Sequence, residues 1–446
     1  MRLEFVEGTS KKFWDGKLDG SNVVVTWGRI GTTGQTKTHT FTNPREAREE
    51  LDALINEKRK KGYREIADPN APKPGAREPK LEAAMFDARD DAGPALVYAD
   101  WLTSNGNEWG ELITVQAQLE KSRANKALVA REKALLKKLP MPDKDLGTVT
   151  WSRGRIDTLH VFNERDWMDD EYDVMLMLEP LLALPMIDGL RELRTGVIRW
   201  DSNDEDVPAV LEAASKRPFA KRLRSLVLGD IPDDIDMDHH VIGDVRKLSK
   251  WFPELTSLKL HSGGASWSGE RNFDFGPLSL PRLESLVIET CSMSKKRLKQ
   301  VLDSALPALT SLELWFGSDD YGANVTAKDL RPLLDGKVFT KTTRVGLKNH
   351  EFADELAAAV PGSALAARVE VLDFSMGTLG PDGVKALVAG ASKFPRLKSL
   401  DVSGNYVTKA ETKALQAAFK GVAVKNTDAK ELDPEQPEWR YVSVAE

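Results

Sequence analysis

The segment LESLVI at residues 283–288 repeats the pattern of LTSLKL at residues 255–260 and LTSLEL at residues 309–314. In each of the three segments, apolar side chains occupy the first, fourth and sixth positions. Self-similarity with a period of about 20–50 residues is the signature of stacked structural repeats. The pattern therefore predicts short strands that stand side by side, each supplied by one repeat.

The same core recurs nine times between residues 150 and 425. Its central apolar residues are Leu159, Leu193, Leu226, Leu258, Leu286, Leu312, Val345, Leu372 and Leu400, at spacings of 26 to 34 residues. Helical stretches such as residues 294–306 and 380–394 lie between the cores. Because one repeat cannot bury its apolar face alone, neighbouring repeats must stack. We therefore expect an α/β solenoid over residues 150–425, with a curved parallel sheet and outer helices.

Residues 1–66 carry a different pattern, typical of a small α+β domain. Apolar runs predict strands that begin at Leu3 and that cover residues 22–27 and 37–41. Asn43 followed by Pro44 is typical of a helix N-cap and first turn. The run EKRKKG at residues 57–62 suits the carboxyl end of that helix, where cations meet the negative end of the dipole.

A proline-rich linker and a helical domain are expected between these two regions. Residues 67–80 hold four prolines and no large apolar residue, which indicates a linker. Residues 81–140 predict a short helical domain with two or three helices and then a charged one. Leu96, Ala99, Trp101 and Leu102 are expected to form one apolar face.

Residues 426–446 are expected to form a C-terminal cap or tail. Trp439, Tyr441, Val442 and Val444 give this segment a strand-like ending. The last repeat of a stack exposes core and a strand edge, so a covering segment is expected. The alternative is that this segment adds an edge strand for a partner.

Composition limits the classes of function. The chain has 446 residues, a net charge of −6 and 30% charged residues, so a wholly basic nucleic-acid binder is excluded and any such activity must be local. Cys291 is the only cysteine, which excludes an intramolecular disulfide and thiolate zinc sites. No signal peptide or run of about 20 apolar residues is present. A cytoplasmic protein is expected.

Residues 1–66 resemble the WGR domain. The residues that carry the resemblance are Trp27-Gly28-Arg29, Ile30-Gly31, the Gly34-Gln35 turn and EKRKKGY at residues 57–63. The domain is known from DNA-dependent poly(ADP-ribose) polymerases and from many bacterial proteins. In the polymerases its tryptophan packs on a nucleotide at a DNA end, and its arginine contacts DNA or another domain. The resemblance implies those roles for Trp27 and Arg29, with Lys37 as a weaker third contact.

Two further resemblances cover the rest of the chain. Residues 80–121, through LVYADWL at 96–102 and GELITVQAQLE at 110–120, are similar to a repeat-companion domain of large bacterial genomes. The remainder resembles a bacterial leucine-rich-repeat protein. The catalytic region of the polymerases has no counterpart, and we find no NAD-binding signature and no catalytic motif. We therefore expect no enzyme and no cofactor.

The candidate DNA-binding residues lie in the N-terminal domain. Trp27 could stack on a base, and Arg29 offers a fork suited to phosphate. The basic run that could follow a phosphate backbone comprises Lys58, Arg59, Lys60 and Lys61. Residues 1–70 contain 13 Lys and Arg against 11 Asp and Glu, a mildly basic net charge of +2. The alternatives are a core tryptophan, an intradomain salt bridge and a solvated helix end.

The candidate partner-binding residues flank the apolar positions of the repeats or lie in a loop between them. Flanking side chains of such strands point towards the concave side. The candidates are Lys259, His261, Trp267, Glu289, Glu313, Trp315, Arg344 and Lys348. Trp315 stands among charges and Trp267 in a polar loop, and tryptophan is a common anchor of interfaces. The alternative for both is packing against a neighbouring loop.

Two other features could carry chemistry but have simpler interpretations. The run DDIDMDHH at residues 233–240 combines aspartate and histidine, which could bind a metal, but it also fits a chance acidic loop. Cys291 follows a predicted strand, where a buried structural thiol is the expected role. We therefore expect no metal site.

The combined hypothesis is a non-enzymatic, cytoplasmic bacterial adaptor with two recognition modules. The WGR domain would sense DNA ends or breaks, and the repeats would bind a partner protein, such as a protease effector in a defence or damage response. The alternative is a pure protein-interaction scaffold whose WGR domain does not bind DNA. An enzyme is a distant third hypothesis.

Overall fold

The computed structural model describes residues 1–65, 75, 77–163, 174–198, 205–231, 237, 240–263, 273–433, 435–436 and 439–444. The chain divides into two compact units. The first contains Met1–Asp143, Ser152–Gly154 and Glu164–Leu181, and the second contains Lys144–Trp151, Arg155–Asn163 and Leu182–Glu446. Most of the predicted linker lies outside the described residues.

A five-stranded antiparallel sheet forms the N-terminal part of the first unit. Its strands are β1 (Arg2–Glu7), β2 (Ser10–Asp19), β3 (Asn22–Arg29), β4 (Gln35–Thr40) and β5 (Arg64–Glu65), in the order β4-β3-β2-β1-β5. The sequence pattern missed β2. Its bulky residues Phe13 and Trp14 are adjacent and both buried, so this strand does not show one apolar and one polar face.

Helix α1 (Pro44–Lys60) packs on this sheet and confirms the predicted helix. The Asn43 side chain accepts a hydrogen bond from the backbone N–H of Glu46 at 2.9 Å, as an N-cap does. The helix buries one apolar face against the sheet. The buried residues of this core are Leu3, Trp14, Val23, Val25, Ala47, Leu51 and Ile55.

The next helices of the same unit are α2 (Pro79–Asp87), α3 (Gly93–Ser104), α4 (Glu108–Lys121) and α5 (Lys126–Leu136). The helical prediction is confirmed, but the predicted apolar face of α3 is partly wrong. Leu96 is 37% exposed, whereas Tyr98 and Leu102 are fully buried. Tyr98 lies inside because its hydroxyl donates to the buried carboxylate of Glu82 at 2.8 Å.

An eleven-stranded sheet with intervening helices forms most of the second unit. Its strands, which are neighbours in chain order, are β6 (Gly147–Ser152), β7 (Arg155–Val161), β8 (Glu192–Thr195), β9 (Ser225–Leu228), β10 (Ser257–His261), β11 (Ser285–Glu289), β12 (Ser311–Gly317), β13 (Arg344–His350), β14 (Val371–Asp373), β15 (Ser399–Asp401) and β16 (Ala423–Lys425). Adjacent strands from β7 to β16 are parallel.

Helices lie between these strands in the sequence. The α-helices are α6 (Val174–Leu182), α7 (Asp206–Ser215), α8 (Leu248–Trp251), α9 (Lys295–Leu302), α10 (Arg331–Leu334), α11 (Ala353–Ala359), α12 (Pro381–Gly390) and α13 (Lys409–Ala418). Short 3₁₀ helices cover Pro185–Gly189, Pro218–Lys221, Asp319–Tyr321, Ala327–Leu330, Val360–Gly362 and Ala391–Lys393. Across the described residues, no helix has the length and apolar character needed to cross a membrane.

The register of the sheet follows the sequence pattern. Each of the nine central apolar residues pairs with the central residue of the next strand, from Leu159 with Leu193 to Leu372 with Leu400. A tenth, Val424 in β16, pairs with Leu400. The nine predicted residues are at most 1% exposed. The predicted strand cores are therefore present and stacked in register.

Thr195 and Asn405 are polar but fully buried in this part of the structure. Thr195 occupies the position two after Leu193, and its hydroxyl accepts from the backbone N–H of Gly229 at 3.4 Å. Asn405 lies after β15, where its amide donates to the carbonyls of Phe374 and Val402 at 2.8 and 3.0 Å. Each buried polar group therefore has a hydrogen-bond partner.

The C-terminal segment differs from the prediction. The edge of the sheet is β16, which the sequence pattern missed because its only large apolar residue is Val424. The described residues 439–444 form no strand, so the predicted strand-like ending is wrong. Val442 is 7% exposed, but Trp439 and Tyr441 are 57% and 61% exposed.

Two buried histidines are positioned to make the second unit sensitive to acid. His350 is fully buried, with ring centroids 4.6 to 6.3 Å from those of Phe316, Phe352 and Phe374. Burial lowers the pKa of His350 to about 4. Burial, and then the proximity of His261, lowers the pKa of His240 to about 4.

We expect the free energy of unfolding to fall as the pH drops from 6.5 to 4. Unfolded histidine has a pKa of about 6.5, so the unfolded state binds more protons in this interval and is favoured as the pH falls. Each buried histidine should lower the free energy of unfolding by about 2 kcal/mol at pH 5. Urea denaturation at pH 7 and pH 5 measures the loss. Between pH 7 and pH 5, the unfolding free energy of the His350→Phe variant should fall by about 2 kcal/mol less than that of the parent. An equal fall in both would contradict a lowered pKa for His350.

Candidate nucleic-acid interface

Strand pairing places Trp27 and Arg29 at one end of the N-terminal sheet. In register, Trp27 lies opposite Trp14, and Arg29 lies opposite Lys12. Because side chains alternate between the faces of a strand, Trp27 and Arg29 share the face of the core residue Val25. Val25 is 5% exposed, whereas Trp27 is 38% exposed. The apolar stripe of β3 therefore ends in a tryptophan that is partly open to solvent.

Glycines fold the turn after Trp27 closely against the sheet. A Cβ atom on Gly28 would lie 2.8 Å from the Cα of Gly34, and one on Gly34 would lie 2.7 Å from the Phe13 ring. Gly34 also has a φ of +73°, which disfavours other residues. Within the turn, the hydroxyl and the backbone N–H of Thr32 donate to the Arg29 carbonyl at 2.8 and 3.0 Å. The turn thus fixes the end of β3 where Arg29 stands.

A cleft of about 430 Å³ lies beside Trp27 and Arg29. Its lining includes the basic residues Lys11, Lys12, Arg29 and Lys58. Among the described residues, none of these four cations has a carboxylate within ion-pair distance. The intradomain salt bridge considered for Arg29 is therefore not found there. An aromatic ring next to four unpaired cations suits a ligand that carries both bases and phosphates.

Tyr63 closes one side of this cleft. Its ring lies 5.4 Å from the ring of Phe5, and the Lys58 ammonium lies 5.8 Å from its centroid. The sequence analysis named Trp27, Arg29 and Lys58 but missed Lys11, Lys12 and Tyr63. The missed lysines belong to β2, the strand that the pattern did not reveal. The signal that could have found them is the pair Lys11-Lys12 directly before Phe13-Trp14.

The other predicted DNA-binding residues do not line this cleft. Lys37 lies on the edge strand β4, in register with Val25. The Lys61 ammonium pairs with Glu57, and the Arg59 guanidinium lies 3.9 Å from the Met1 sulfur. Lys60 is exposed at the end of α1. The basic run at residues 58–61 therefore contributes one residue, Lys58, to the cleft.

The predicted partner-binding residues of the second unit form two clusters. In the first, Glu289 binds the Lys259 ammonium at 2.8 Å and the His261 Nδ1 atom at 2.6 Å. Burial favours the neutral form of Glu289, but hydrogen bonds from His261 and Lys259 outweigh it and hold its pKa below the ordinary value. The cluster is therefore an ion pair across neighbouring strands.

The second cluster surrounds Trp315, which is half-buried. Its indole N–H donates to Glu313 at 2.7 Å, and the Lys348 ammonium lies 3.2 Å from the same carboxylate oxygen. That ammonium also lies 5.0 Å from the Trp315 ring centroid, within cation–π range. Arg344, at the start of β13, is exposed. Trp315 is thus held in a fixed orientation with part of its surface available.

Three remaining candidates give no site within the described residues. Trp267 and most of the run 233–240 lie outside those residues, although Met237 and His240 are described and buried. Among the described residues, no group of three His, Cys, Asp or Glu side chains is arranged to hold a metal ion. Cys291 is 1% exposed and lies in the core, as predicted.

Residues 1–70 match the family described as the WGR domain. No curated protein sequence matches the chain. Among solved structures, a Bacteroides fragilis protein is similar at 20% identity and a TM-score of 0.54, with 99% of each chain covered, which shows a shared fold alone. An internalin from Listeria monocytogenes matches at 13% identity, 57% and 71% coverage and a TM-score of 0.29. A TLR13–ssRNA13 complex matches at 16% identity, 62% and 38% coverage and a TM-score of 0.28.

Replacing Gly34 by alanine should destabilise the turn that holds Arg29. The side chain would enter a backbone with positive φ and contact the Phe13 ring, so we expect a local loss of about 1–3 kcal/mol. Gly20→Ala is the matched control, because Gly20 has a φ of +56° but no atom within 4 Å of the position that a Cβ would take. Hydrogen exchange over residues 22–40 measures the loss. Equal effects of the two variants would contradict the close packing at Gly34.

Proposed function

We propose that this chain is a non-enzymatic recognition protein with two binding modules. Its WGR domain binds DNA at ends or breaks, and its second unit binds a partner protein. The observation that carries the proposal is the partly exposed Trp27 beside four cations that have no carboxylate partner among the described residues. The WGR match at residues 1–70 supports it.

The chemistry of the cleft favours DNA ends over continuous duplex. Stacking of a base on an aromatic side chain contributes about 1–3 kcal/mol. Bases inside a duplex are stacked on both faces, whereas a terminal or nicked base pair exposes one face. The cations Lys11, Lys12, Arg29 and Lys58 supply phosphate contacts that do not depend on sequence. Trp27 would select the end, and the cations would supply most of the affinity.

For the second unit, the proposal is a leucine-rich-repeat solenoid that captures a protein. The in-register stack of central residues from Leu159 to Val424 supports this architecture. Trp315 supplies a rigid aromatic anchor, and the surrounding charged clusters supply a polar rim. The partner would be an effector such as a protease, in a bacterial cytoplasmic response to damaged or foreign DNA.

The alternative is a scaffold whose WGR domain has only a structural or docking role. A tryptophan kept for packing would be covered, and an arginine kept for domain stability would be paired. Trp27 is 38% exposed, and Arg29 has no ion pair among the described residues. Both observations argue against a purely structural role and support the DNA-binding proposal.

The full chain should bind nicked or linear duplex DNA more tightly than covalently closed circles. Trp27→Ala should weaken end binding about 5- to 150-fold, which corresponds to one stacking interaction. Arg29→Ala should lower the slope of log affinity against log salt by about 1, because one phosphate contact is lost. Fluorescence anisotropy at several salt concentrations measures both effects.

Two variants control this experiment. Trp439→Ala removes an exposed tryptophan of the other unit, and Arg45→Ala removes an exposed arginine that pairs with Glu49 at 2.9 Å. Both should bind DNA as the parent does. Equal affinity for linear and closed-circular DNA, unchanged by Trp27→Ala, would exclude end recognition.

Trp315→Ala should reduce capture of the partner protein at least about tenfold, since truncation of an interface anchor costs about 2 kcal/mol or more. Trp251→Ala is the matched control, because that ring is also half-buried and has the Lys247 ammonium 5.6 Å from its centroid. Affinity capture from nuclease-treated lysate of the native organism measures the effect. Undiminished capture by Trp315→Ala would place the docking surface elsewhere.

A further inference from the structure

The described residues 439–444 lie across the carboxyl ends of β13, β14 and β15. We call this segment the strap. The Ser443 N–H donates to the Met376 carbonyl at 2.8 Å, and the Tyr441 N–H donates to the Tyr406 hydroxyl at 2.8 Å. Val444 is held by Asn349. The backbone of the strap is therefore bound at several successive points.

Repeating loops form the floor beneath the strap. Asn349, Met376 and Gly404 each lie four residues after the central residue of a strand, and each has a left-handed backbone, with φ of 54°, 69° and 64°. Backbone hydrogen bonds from Asn349 to Ser375 and from Met376 to Ser403 stack the loops at 3.0 and 2.8 Å. The result is a regular groove at the carboxyl ends of the strands.

Asn349 recognises the backbone of the strap rather than a side chain. Its amide N–H donates to the Val444 carbonyl at 2.5 Å, and its amide oxygen accepts from the Val444 N–H at 2.9 Å. Asn349 is fully buried with the strap in place. Paired contacts to the N–H and C=O of one residue bind a peptide chain of any sequence. A buried amide left without such a partner is unfavourable, because its lost contacts with water are not replaced.

Arg440 supplies sequence specificity. Its guanidinium donates to the Asp354 carboxylate at 2.7 Å and to the Thr378 carbonyl at 3.1 Å, and it lines a pocket of about 300 Å³ together with both residues. A Cβ atom on Gly380 would clash with this guanidinium, so the absence of a side chain there makes room for it. Asp354 is itself held by the N–H groups of Gly380 and Gly383 at 2.8 and 3.1 Å. Asp354 and the space at Gly380 therefore provide a charged position for the Arg440 guanidinium.

Residues along the strap alternate between the groove and solvent. Arg440, Val442 and Val444 are half-buried or buried, whereas Trp439 and Tyr441 are largely exposed. The two largest apolar side chains of the strap therefore bury little area against the chain. The strap is held by its backbone, by Arg440 and by small aliphatic residues.

We propose that this groove is a binding site for peptides with arginine followed, two and four residues later, by aliphatic residues. The strap is its intramolecular occupant, and a partner segment with this pattern binds by displacing it. The groove is built from strand-end loops and does not include Trp315 or the Glu289 cluster. The inference is therefore independent of the proposed DNA and concave-surface functions.

The test uses the chain truncated after Gln436 and a fluorescent peptide with the sequence of residues 439–446, WRYVSVAE. The truncated chain should bind this peptide with micromolar affinity. The full chain should bind it about 100-fold more weakly, because its own strap competes at a local concentration of roughly millimolar. Replacing arginine in the peptide by alanine, or Asp354→Ala in the chain, should weaken binding at least tenfold.

A second peptide, ARAVAV, tests whether the groove binds any peptide with the proposed pattern or only the strap of this chain. It keeps only the arginine and the two aliphatic positions, so the proposal expects it to bind the truncated chain within about tenfold of WRYVSVAE. Binding of WRYVSVAE alone would show a cap specific to this chain and would overturn the proposal. Absence of binding by both peptides to a folded truncated chain would also overturn it.

A third form of the chain covers the case in which truncation prevents folding. A protease site placed between residues 436 and 439 is cleaved after folding, so the strap remains bound by the groove alone. Excess ARAVAV should then release the cleaved strap, which mass spectrometry of the separated fragments detects. Retention of the strap at saturating peptide would count against exchange and would overturn the proposal.

Discussion

The structure of the second unit depends on one constraint: each central apolar residue must lie in register with those of the neighbouring strands. Leu286 pairs with Leu258 on one side and with Leu312 on the other, and all three are at most 1% exposed. No single strand could bury such a residue, since both of its sides would remain open. Register in turn aligns the loops at the strand ends. The groove beneath the strap and the charged clusters on the sheet both follow from this alignment.

Sequence patterning revealed the repeated part of the fold and the N-terminal helices, and it missed two strands and the position of the strap. Nine central residues from Leu159 to Leu400 could be identified because the same apolar spacing recurs. The pattern missed β16, which has Val424 as its only large apolar residue, and β2, whose bulky residues are adjacent. The position of the strap depends on hydrogen bonds such as that between Asn349 and Val444, and these leave no periodic signal.

In the candidate DNA cleft, too, some residues could be predicted from the sequence and others could not. Trp27 and Arg29 could be named from a contiguous motif, whereas Lys12 enters through its cross-strand pairing with Arg29. Sequence proximity was misleading for the basic run at residues 58–61. Successive helical residues point about 100° apart, so Arg59 and Lys60 point away from Lys58, which lines the cleft. Lys61 follows the helix and pairs with Glu57. Motifs therefore identify the residues at the centre of a site, and pairing between elements selects those around it.

The strap also constrains how the chain can change in length. A stacked sheet accepts an additional whole repeat, because each repeat contacts only its neighbours. An insertion between β13 and β15, however, would move Asn349 and Tyr406 further apart by about 4.8 Å, the spacing of neighbouring strands. The strap could then no longer contact both residues in its present register. Repeat number is thus free to vary before β13 and is fixed where the strap crosses, so the strap acts as a molecular ruler for the last repeats.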